Sequence, residues 1–167
     1  SDAAAVRLGL SDDAAGHSAC AEIARNVEAH RPGTRLDGMR VCRQIARGLE
    51  LVLGVQNDPE MGCIVMVGSG GVLLELAEDV AFAPPLLDRA MAEAMIGETR
   101  VGRLIDGYRG GPVYDMASLV NALVAMGRIA HDLGEMVQSI DVNPFVVLPE
   151  GQGGFSLDAL VVAKGGG

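Results

Sequence analysis

Aromatic residues, basic residues and cysteine are all scarce in this sequence, and each shortage limits what the protein can be. Aromatic residues are 3% of the 167 positions and tryptophan is absent, so the core must consist of aliphatic side chains and methionine. Basic residues number 13 against 22 acidic ones, which gives a net charge of −9. Sequence-independent binding of nucleic acid needs a basic surface, so we expect no nucleic-acid partner.

The three cysteines, Cys20, Cys42 and Cys63, are far apart and form no C-x-x-C pair. An odd number at such spacing argues against both a disulfide framework and a zinc site. We interpret all three as small buried hydrophobes in a reducing compartment. No stretch of about 18 apolar residues occurs, and the start lacks the pattern of a signal peptide. The sequence therefore predicts a cytoplasmic protein without a membrane partner.

Apolar residues are 49% of the chain, which is ample for the core of one domain. Apolar periodicity and turn residues predict helices over residues 13–30, 86–96 and 116–133, with a short helical turn at 99–105. Strands are predicted over residues 5–10, 36–42, 49–56 and 63–67, followed by an extended segment at 80–85. Short links between the strands favour an α+β fold, a mostly antiparallel sheet with flanking helices. Both ends look cut, so we expect a fragment of a longer polypeptide.

The tail, residues 139–163, predicts a β-hairpin that carries polar side chains. Two apolar runs, VNPFVVL and FSLDALVV, flank a glycine-rich turn. Asp141 and Asn143 are two residues apart, so on a strand they point to one face, and Asp158 lies on the returning strand. Carboxylate and amide oxygens are ligands of the kind that Mg²⁺ prefers. The alternative is a strand whose polar residues simply face water.

The segment VGSGGVLLEL, residues 67–76, contains three glycines before an apolar run. A glycine-rich loop lets backbone N–H groups approach a phosphate closely. The spacing matches neither of the common phosphate-binding glycine motifs, so a tight hairpin turn is the favoured interpretation. Glu75 stands inside the apolar run, where a carboxylate needs a partner or a water-filled cleft.

Several segments together resemble the nucleotide-binding region of the ADP-forming acyl-CoA synthetases, relatives of the succinyl-CoA synthetase β subunit in the ATP-grasp superfamily. In chain order they are SDAAAVRLGL, GLELVLGVQNDP, GSGGVLLEL, PPLLDRAM, TRVGRLIDGYRGGP, IDVNPFVV and LDALVV. The resemblance covers nearly the whole chain. It implies that residues 1–167 resemble the C-terminal subdomain of an ATP-grasp fold.

The resemblance also implies an activity and its cofactors. An acid, CoA and ATP would become acyl-CoA, ADP and phosphate by way of an acyl-phosphate and a phosphohistidine. ATP and Mg²⁺ would bind here, whereas CoA would bind mainly to domains outside the chain. We therefore expect a CoA-binding domain or subunit as partner, an oligomeric full-length protein, and no activity for the chain alone.

Specific residues match positions of the family motifs. Asn143 and Asp158 match the two residues that hold Mg²⁺, and Asp141 matches the acidic residue beside the phosphoryl-transfer centre. The resemblance implies nucleotide contacts for the remaining matched positions: Glu50 near the ribose, Val41 and Cys42 at the hinge that reads adenine with its backbone, and Glu75 after the glycines. Tyr108 and Arg109 match a motif without an implied role.

The departures leave a second interpretation open. Cys42 replaces the usual Gln or Glu of the hinge, and Met61-Gly62-Cys63 replaces a Phe-Gly-Pro turn. The phosphate-binding lysine of the first ATP-grasp subdomain and the phosphorylated histidine have no match in the chain. Similar regions are fused to lysine acetyltransferases, where they bind ligands without making acyl-CoA. A sensory module of that kind is the alternative to an enzyme fragment, and a domain that contributes only subunit contacts is a third interpretation.

Overall fold

The computed structural model describes residues 4–70 and 79–165. The chain divides into two compact units, residues 1–45 and residues 46–167, and each is described here by itself. None of the helices in these two described stretches combines the length and the apolar character needed to cross a membrane.

The first unit contains one helix, α1 (Asp13–His30), in agreement with the sequence prediction. Asp12 caps it, because its side chain accepts a hydrogen bond from the Ala15 N–H at 2.8 Å. That bond stabilises the carboxylate and lowers the pKa of Asp12. Glu22 of this helix forms an ion pair with Arg7.

The two strands predicted in the first unit, at residues 5–10 and 36–42, are wrong. Neither segment forms a ladder with any other part of the described chain. Gly9 has a φ of 71°, a left-handed value that interrupts an extended strand. Every residue from 36 to 42 is exposed, so alternation in that segment does not correspond to burial. The short link expected between the strands at residues 36–42 and 49–56 is therefore not a turn between paired strands, because its first strand is absent.

The second unit is built on a six-stranded sheet whose neighbouring strands are antiparallel. Its strands are β1 (Leu49–Asp58), β2 (Gly62–Ser69), β3 (Val80–Ala83), β4 (Val137–Val147), β5 (Gly154–Ser156) and β6 (Ala159–Ala163). The order across the sheet is β3-β2-β1-β4-β5, and β6 also pairs with β4. The mostly antiparallel α+β fold expected from the sequence is confirmed.

In the described part of the second unit, three helices and a short 3₁₀ turn lie between β3 and β4 in the chain. They are α2 (Arg89–Gly97), α3 (Arg100–Ile105), the 3₁₀ turn Tyr108–Gly110, and α4 (Met116–Leu133). Asp115 caps α4 by accepting the Ser118 N–H at 2.9 Å, and it also accepts the Gly153 N–H at 3.0 Å. The cap therefore ties the start of α4 to the turn that follows β4.

The helices of the second unit pack against one face of the sheet, which we call the helix-covered face. The opposite face is called the open face. On the helix-covered face, Leu51, Leu53 and Val55 of β1 join a core with side chains of α4 such as Leu119 and Leu123. Because side chains alternate along a strand, the residues between them project from the open face. On β1 these are Glu50, Val52, Gly54 and Gln56.

The predicted hairpin at the tail is confirmed, with one difference in detail. β4 pairs with both β5 and β6, which are separated by Leu157 and Asp158. Asp158 therefore lies in the connection just before β6 and is not part of the returning strand. Gly151 and Gly153 have φ values of 77° and 84°, which explains glycine in the turn. The apolar run after the glycines, residues 71–78, lies outside the described residues.

The cysteines only partly follow the interpretation as buried hydrophobes. All three are free thiols. Cys63 packs against the backbone near Gly134, and burial raises the pKa of its thiol. Cys42 is exposed, which corrects the expectation for that residue, because the segment that carries it buries none of its side chains.

Candidate functional site

The central strand β4 presents Asp141 and Asn143 on the open face of the sheet. Both side chains are exposed, whereas Val142 between them is buried, as expected for alternation along a strand. Asp141 lies opposite Gly54 of β1 on one side and Leu160 of β6 on the other. The sequence prediction that the two polar side chains share one face therefore agrees with the geometry.

Asp158 lies beside Asn143 at the junction of β4 and β6. The backbone N–H of Asn143 donates a hydrogen bond to the carbonyl oxygen of Asp158 at 3.2 Å. The Asp158 side chain is exposed and accepts the N–H of Ala159 through Oδ1 at 2.9 Å. This bond orients the carboxylate and leaves Oδ2 available to a ligand. The fold thus brings together the amide and the two carboxylates that the tail sequence singled out.

Glu50 projects from the open face near the start of β1, several residues away from Asp141 in the ladder. Its Cα partner on β4 is Val146, whereas the partner of Asp141 is Gly54. Between these two pairs the register shifts, so Asn143 and Pro144 together lie against Val52. The three polar positions Glu50, Asn143 and Asp141 therefore follow one another along the open face.

Gly70, in the glycine segment, lies against the backbone of Glu50. Gly70 donates its N–H to the carbonyl oxygen of Glu50 at 3.0 Å. A Cβ at position 70 would lie 2.7 Å from that oxygen and 2.9 Å from the nitrogen of Leu51. Glycine is required there by this close approach between two backbone segments, whereas the sequence suggested a phosphate-binding loop or a tight hairpin turn.

Asp79 connects the two ends of the same segment and was missed in the sequence. Its side chain accepts a hydrogen bond from the hydroxyl of Ser69, the last residue of β2. Its other oxygen accepts the N–H of Arg100 at the start of α3, at 2.8 Å. Thr99 supplies no side-chain cap to that helix, so Asp79 takes the role from a distant position. The only sequence signal was an acidic residue before a strand, which is common.

A shallow depression of about 210 Å³ lies on the open face between β1, β2 and β4. Asp141 and Asn143 line it together with Gln56 and Ser139, which also escaped the sequence analysis. Its remaining lining is apolar or glycine: Val52, Gly54, Val55, Met66 and Ile140. Among the described residues that form this lining there is no arginine, lysine or histidine.

The residues matched to the adenine-reading hinge lie in the first unit. Val41 is 84% exposed and Cys42 is also exposed. Both line a cavity of about 560 Å³ formed with α1 and the segment before it. Within the described residues, no hydrogen bond involves the backbone of either residue, so these groups can bind a ligand. Glu75 lies outside the described residues.

The oxygen donors on the open face fit a weakly held Mg²⁺ better than a metal enclosed by protein. In the two stretches that the structure describes, no group of three or more His, Cys, Asp and Glu side chains is placed to hold a metal. Asn143 and Asp158 offer two exposed oxygen ligands on adjacent backbone segments. Mg²⁺ commonly binds one or two protein oxygens and completes its shell with water and substrate phosphates.

Comparison with known proteins gives consistent matches in both sequence and structure. Residues 1–162 match the family model described as the ATP-grasp domain. The chain is 35% identical over 164 residues to a trans-feruloyl-CoA synthase from an unknown prokaryotic organism. This match covers 98% of the present chain and 23% of that protein. It is 29% identical over 165 residues to the β subunit of acetate–CoA ligase (ADP-forming) II from Pyrococcus furiosus, covering 99% and 70%.

A solved structure of similar fold comes from Candidatus Korarchaeum cryptofilum. It is a dinucleotide-forming acetyl-coenzyme A synthetase 1 in complex with coenzyme A and Mg-AMPPCP, with its phosphohistidine segment pointing towards the nucleotide-binding site. The TM-score is 0.78 at 29% identity, covering 98% of this chain and 70% of that one. The chain therefore spans 23% of the trans-feruloyl-CoA synthase, and 70% of both the Pyrococcus subunit and the Korarchaeum chain.

Proposed function

Because this chain belongs to the ATP-grasp domain family, we propose that it is the Mg–ATP-binding part of an ADP-forming acid–CoA ligase. The similarity to acetate–CoA ligases of this type confirms the resemblance seen in the sequence. The complete protein would convert an acid, CoA and ATP into acyl-CoA, ADP and phosphate. The chain spans 23% of one relative, so we assign the full reaction only to the larger protein.

The observation that carries the proposal is the junction of β4 and β6. Asn143, Asp141 and Asp158 place one amide and two carboxylates there, and the described helices of the second unit join the core on the opposite face of the sheet. A bound cation would offset the negative charge of the two carboxylates. Their donor set is suited to Mg²⁺, which agrees with the relative that was solved with Mg-AMPPCP.

The residues that match the family motifs with an implied role each receive that role in this proposal. Asn143 and Asp158 would hold Mg²⁺, which when bound would neutralise charge on the nucleotide phosphates. Glu50 would accept hydrogen bonds from the ribose hydroxyls, since a carboxylate offers two acceptor oxygens. Asp141 would lie beside the terminal phosphate. Val41 and Cys42 would bind adenine through their backbone, and Glu75 is proposed as a further nucleotide contact on the resemblance alone.

The partner, the oligomeric state and the location of the complete protein are also proposals. A CoA-binding domain or subunit would complete the enzyme, as the subunit name of the Pyrococcus relative suggests. Oligomerisation and a cytoplasmic location are predictions from the sequence. The alternative of a ligand-sensing module fused to a lysine acetyltransferase has no support among the relatives described above, which are named as CoA ligases or synthases.

The test is an assay of the complete protein with ATP, Mg²⁺, CoA and a panel of carboxylic acids. We expect ADP to form only when CoA and at least one acid are present. ATP labelled at the γ-phosphate should transfer its label to a histidine, detected as an acid-labile and base-stable phosphoprotein. A failure to form ADP with any acid would contradict the proposal.

A matched pair of variants connects this assay to the open face. Asp158→Ala removes a proposed Mg²⁺ ligand, so we expect no labelled phosphoprotein. Asp132→Ala removes an exposed aspartate at the end of α4 and should leave labelling unchanged. If both variants take up label at the rate of the unmodified protein, the metal assignment is wrong, and the proposed activity is not affected by that result.

A further inference from the structure

We propose that exposed residues around the 3₁₀ turn form a docking surface for an acidic segment of the CoA-binding domain or subunit. They are Arg103, Leu104, Tyr108, Arg109 and Val113, and we call them the Tyr–Arg patch. The proposal deepens the proposed function and rests on it, because it locates the contact with the partner. Tyr108 and Arg109 matched a family motif without an implied role, and nucleotide binding does not use them.

The patch has the composition of a protein interface. Tyr108 is 53% exposed, Val113 is 47% exposed and Leu104 is 40% exposed. Arg103 and Arg109 are exposed beside them. Tyrosine and arginine are enriched among the residues that dominate binding energy, and the contacts around them exclude water. The patch therefore suits a partner surface that is partly apolar and partly charged.

Arg109 has a backbone conformation that arginine rarely adopts. Its φ is 55° and its ψ is 36°, which are left-handed values. A side chain with a Cβ is strained there, whereas glycine is not. Gly107 and Gly110, close to it in the same turn, also have positive φ values of 85° and 78°. An arginine at a position whose backbone favours glycine indicates a role for its side chain.

The turn that carries Tyr108 and Arg109 is closely packed in the free chain. The Gly111 N–H donates a hydrogen bond to the carbonyl oxygen of Tyr108 at 3.1 Å. A Cβ on Gly107 would lie 2.9 Å from the Gly111 carbonyl oxygen and 3.2 Å from Cγ2 of Val113. The guanidinium carbon of Arg109 lies 5.3 Å from the centre of the Tyr108 ring, a cation–π distance. Side chains held in place in this way lose less freedom when a partner binds.

The charge of the patch indicates an acidic partner. Arg7 and Arg89 form ion pairs, but neither Arg103 nor Arg109 forms one with a described residue. Asp106, between these two arginines in sequence, makes no ion pair with them either. Because the chain has a net charge of −9, unpaired arginines run against its general charge. Partner carboxylates would complete them, since arginine binds a carboxylate with two parallel hydrogen bonds.

The patch lies apart from the residues proposed to hold Mg–ATP. Arg103 and Leu104 belong to α3, whose buried residues Val101 and Ile105 join the core on the helix-covered face. Asn143, the proposed metal ligand, projects from the open face. A partner docked at the patch therefore leaves the nucleotide site accessible. Loss of the patch should slow the steps that need the partner and leave nucleotide binding unchanged.

The test makes two measurements on the complete protein, with its CoA-binding subunit if that is separate. The first is the single-turnover rate at which γ-labelled ATP phosphorylates a histidine, a step that needs the partner because the phosphorylated histidine has no match in this chain. The second is Mg–ATP affinity by calorimetric titration. For Arg109→Glu we expect a rate at least about tenfold lower, as for a central interface arginine. Mg–ATP affinity should stay within about twofold, because the sites share no contacts.

Salt dependence tests the charge of the partner. Attraction between exposed charges is screened by salt, so phosphorylation by the unmodified protein should be slower at about 0.5 M than at about 0.05 M salt. For Arg109→Glu this dependence should be weaker or reversed. Arg128→Glu reverses an exposed arginine of α4 and is the matched control, which should change neither the rate nor the affinity.

Arg109→Gly distinguishes docking from folding. It removes the side chain and also relieves the left-handed backbone strain. We expect a melting temperature no lower than that of the unmodified protein, together with slower phosphorylation. Arg109→Lys keeps the charge and should retain more of the rate than Arg109→Gly.

Hydrogen–deuterium exchange locates the contact directly. In the complete protein, the peptide over residues 103–113 should exchange faster in Arg109→Glu than in the unmodified protein, because the partner no longer covers it. The peptide over residues 58–62, at the turn between β1 and β2, should exchange at the same rate in both.

Four results would overturn the docking surface. Phosphorylation by Arg109→Glu would equal that of the unmodified protein at both salt concentrations, or Mg–ATP affinity would fall as much as the rate. Weaker CoA binding at an unchanged phosphorylation rate would make the patch a site for an anionic ligand. A smaller oligomer at an unchanged rate would make it a contact between copies of the chain. Failure of the proposed function looks different, because the unmodified protein would then neither bind Mg–ATP nor take up label.

Discussion

The two faces of the sheet carry different kinds of residue although they are made by the same strands. On β1, the core-facing residues Leu51, Leu53 and Val55 are at most 2% exposed and pack beneath α4. The alternate positions include the exposed polar residues Glu50 and Gln56, which suit a ligand better than a core, although Val52 between them is 1% exposed. One face therefore stabilises the second unit, and the other is available for chemistry. Substitutions on the two faces should accordingly change different properties.

The largest loss of stability should come from the helix-covered face. Leu123 of α4 is fully buried in the core, so Leu123→Ala leaves a cavity and should lower the free energy of unfolding by about 2–5 kcal/mol. Leu160 of β6 is 63% exposed, and Leu160→Ala should change it by less than about 0.5 kcal/mol. Urea denaturation of both variants measures the difference. Equal losses would mean that the core is misassigned.

An intermediate effect is expected where the glycine segment meets β1. Gly70→Ala places a Cβ 2.7 Å from the Glu50 carbonyl oxygen, and the backbone cannot shift easily. We expect a loss of about 1–3 kcal/mol in unfolding free energy, typical of overpacking. Gly38→Ala, which has no atom within 4 Å of the added Cβ, is the control. If the two variants denature at the same urea concentration, the close approach is not rigid.

A smaller change in stability is expected at Gly54 on the open face. Gly54→Ala brings the new Cβ to 3.0 Å from Cε of Met66, the end of a flexible side chain that can move aside. We expect a loss of under about 1 kcal/mol in unfolding free energy, measured by urea denaturation against the unmodified chain. A loss as large as that of Gly70→Ala would contradict the distinction between a flexible neighbour and a rigid one.

The smallest effect is expected at the β1–β2 turn, which belongs to neither face. The backbone N–H groups of Met61 and Glu60 donate to Asp58, and these bonds lower the pKa of its carboxyl group. A lowered folded-state pKa stabilises the fold above the unfolded pKa, and the contribution is lost as pH falls through the folded value.

Melting temperatures of Asp58→Ala and the unmodified chain should therefore differ at neutral pH. The difference should shrink as pH falls below about 4, where the aspartate of the unfolded chain is protonated. Asp58→Asn keeps an acceptor oxygen and isolates the contribution of the charge. A difference that grew on acidification would contradict the sign of the pKa shift.

The sequence predicted local features well where periodicity coincided with burial. Helix α4 was predicted with the bounds that the structure shows, because its apolar stripe is long and Asp115 caps it. The convergence of Asp141 and Asn143 followed from alternation along β4 alone. The strands expected at residues 5–10 and 36–42 failed, because alternation alone cannot supply a pairing partner.

Contacts between distant segments could not be predicted. The bond from Asn143 to Asp158 depends on where β6 begins, which the apolar run did not specify. The pairing of Gln56 with Ser139 depends on the register of β1 against β4 across 83 residues of chain. Asp79 as a cap for α3 depends on packing in the same way. Register and packing are tertiary properties, so single-sequence periodicity does not contain them.

The central claim is that the open face at the β4–β6 junction holds Mg–ATP through Asn143. The most direct measurement is a calorimetric titration of the complete protein with Mg–ATP, comparing Asn143→Ala with Asn121→Ala, an exposed asparagine of α4. We expect the Kd to rise at least about tenfold for Asn143→Ala, since even residues behind metal ligands cost that much when mutated. Asn121→Ala should leave the Kd unchanged. Equal affinities for both variants and the unmodified protein would contradict the claim.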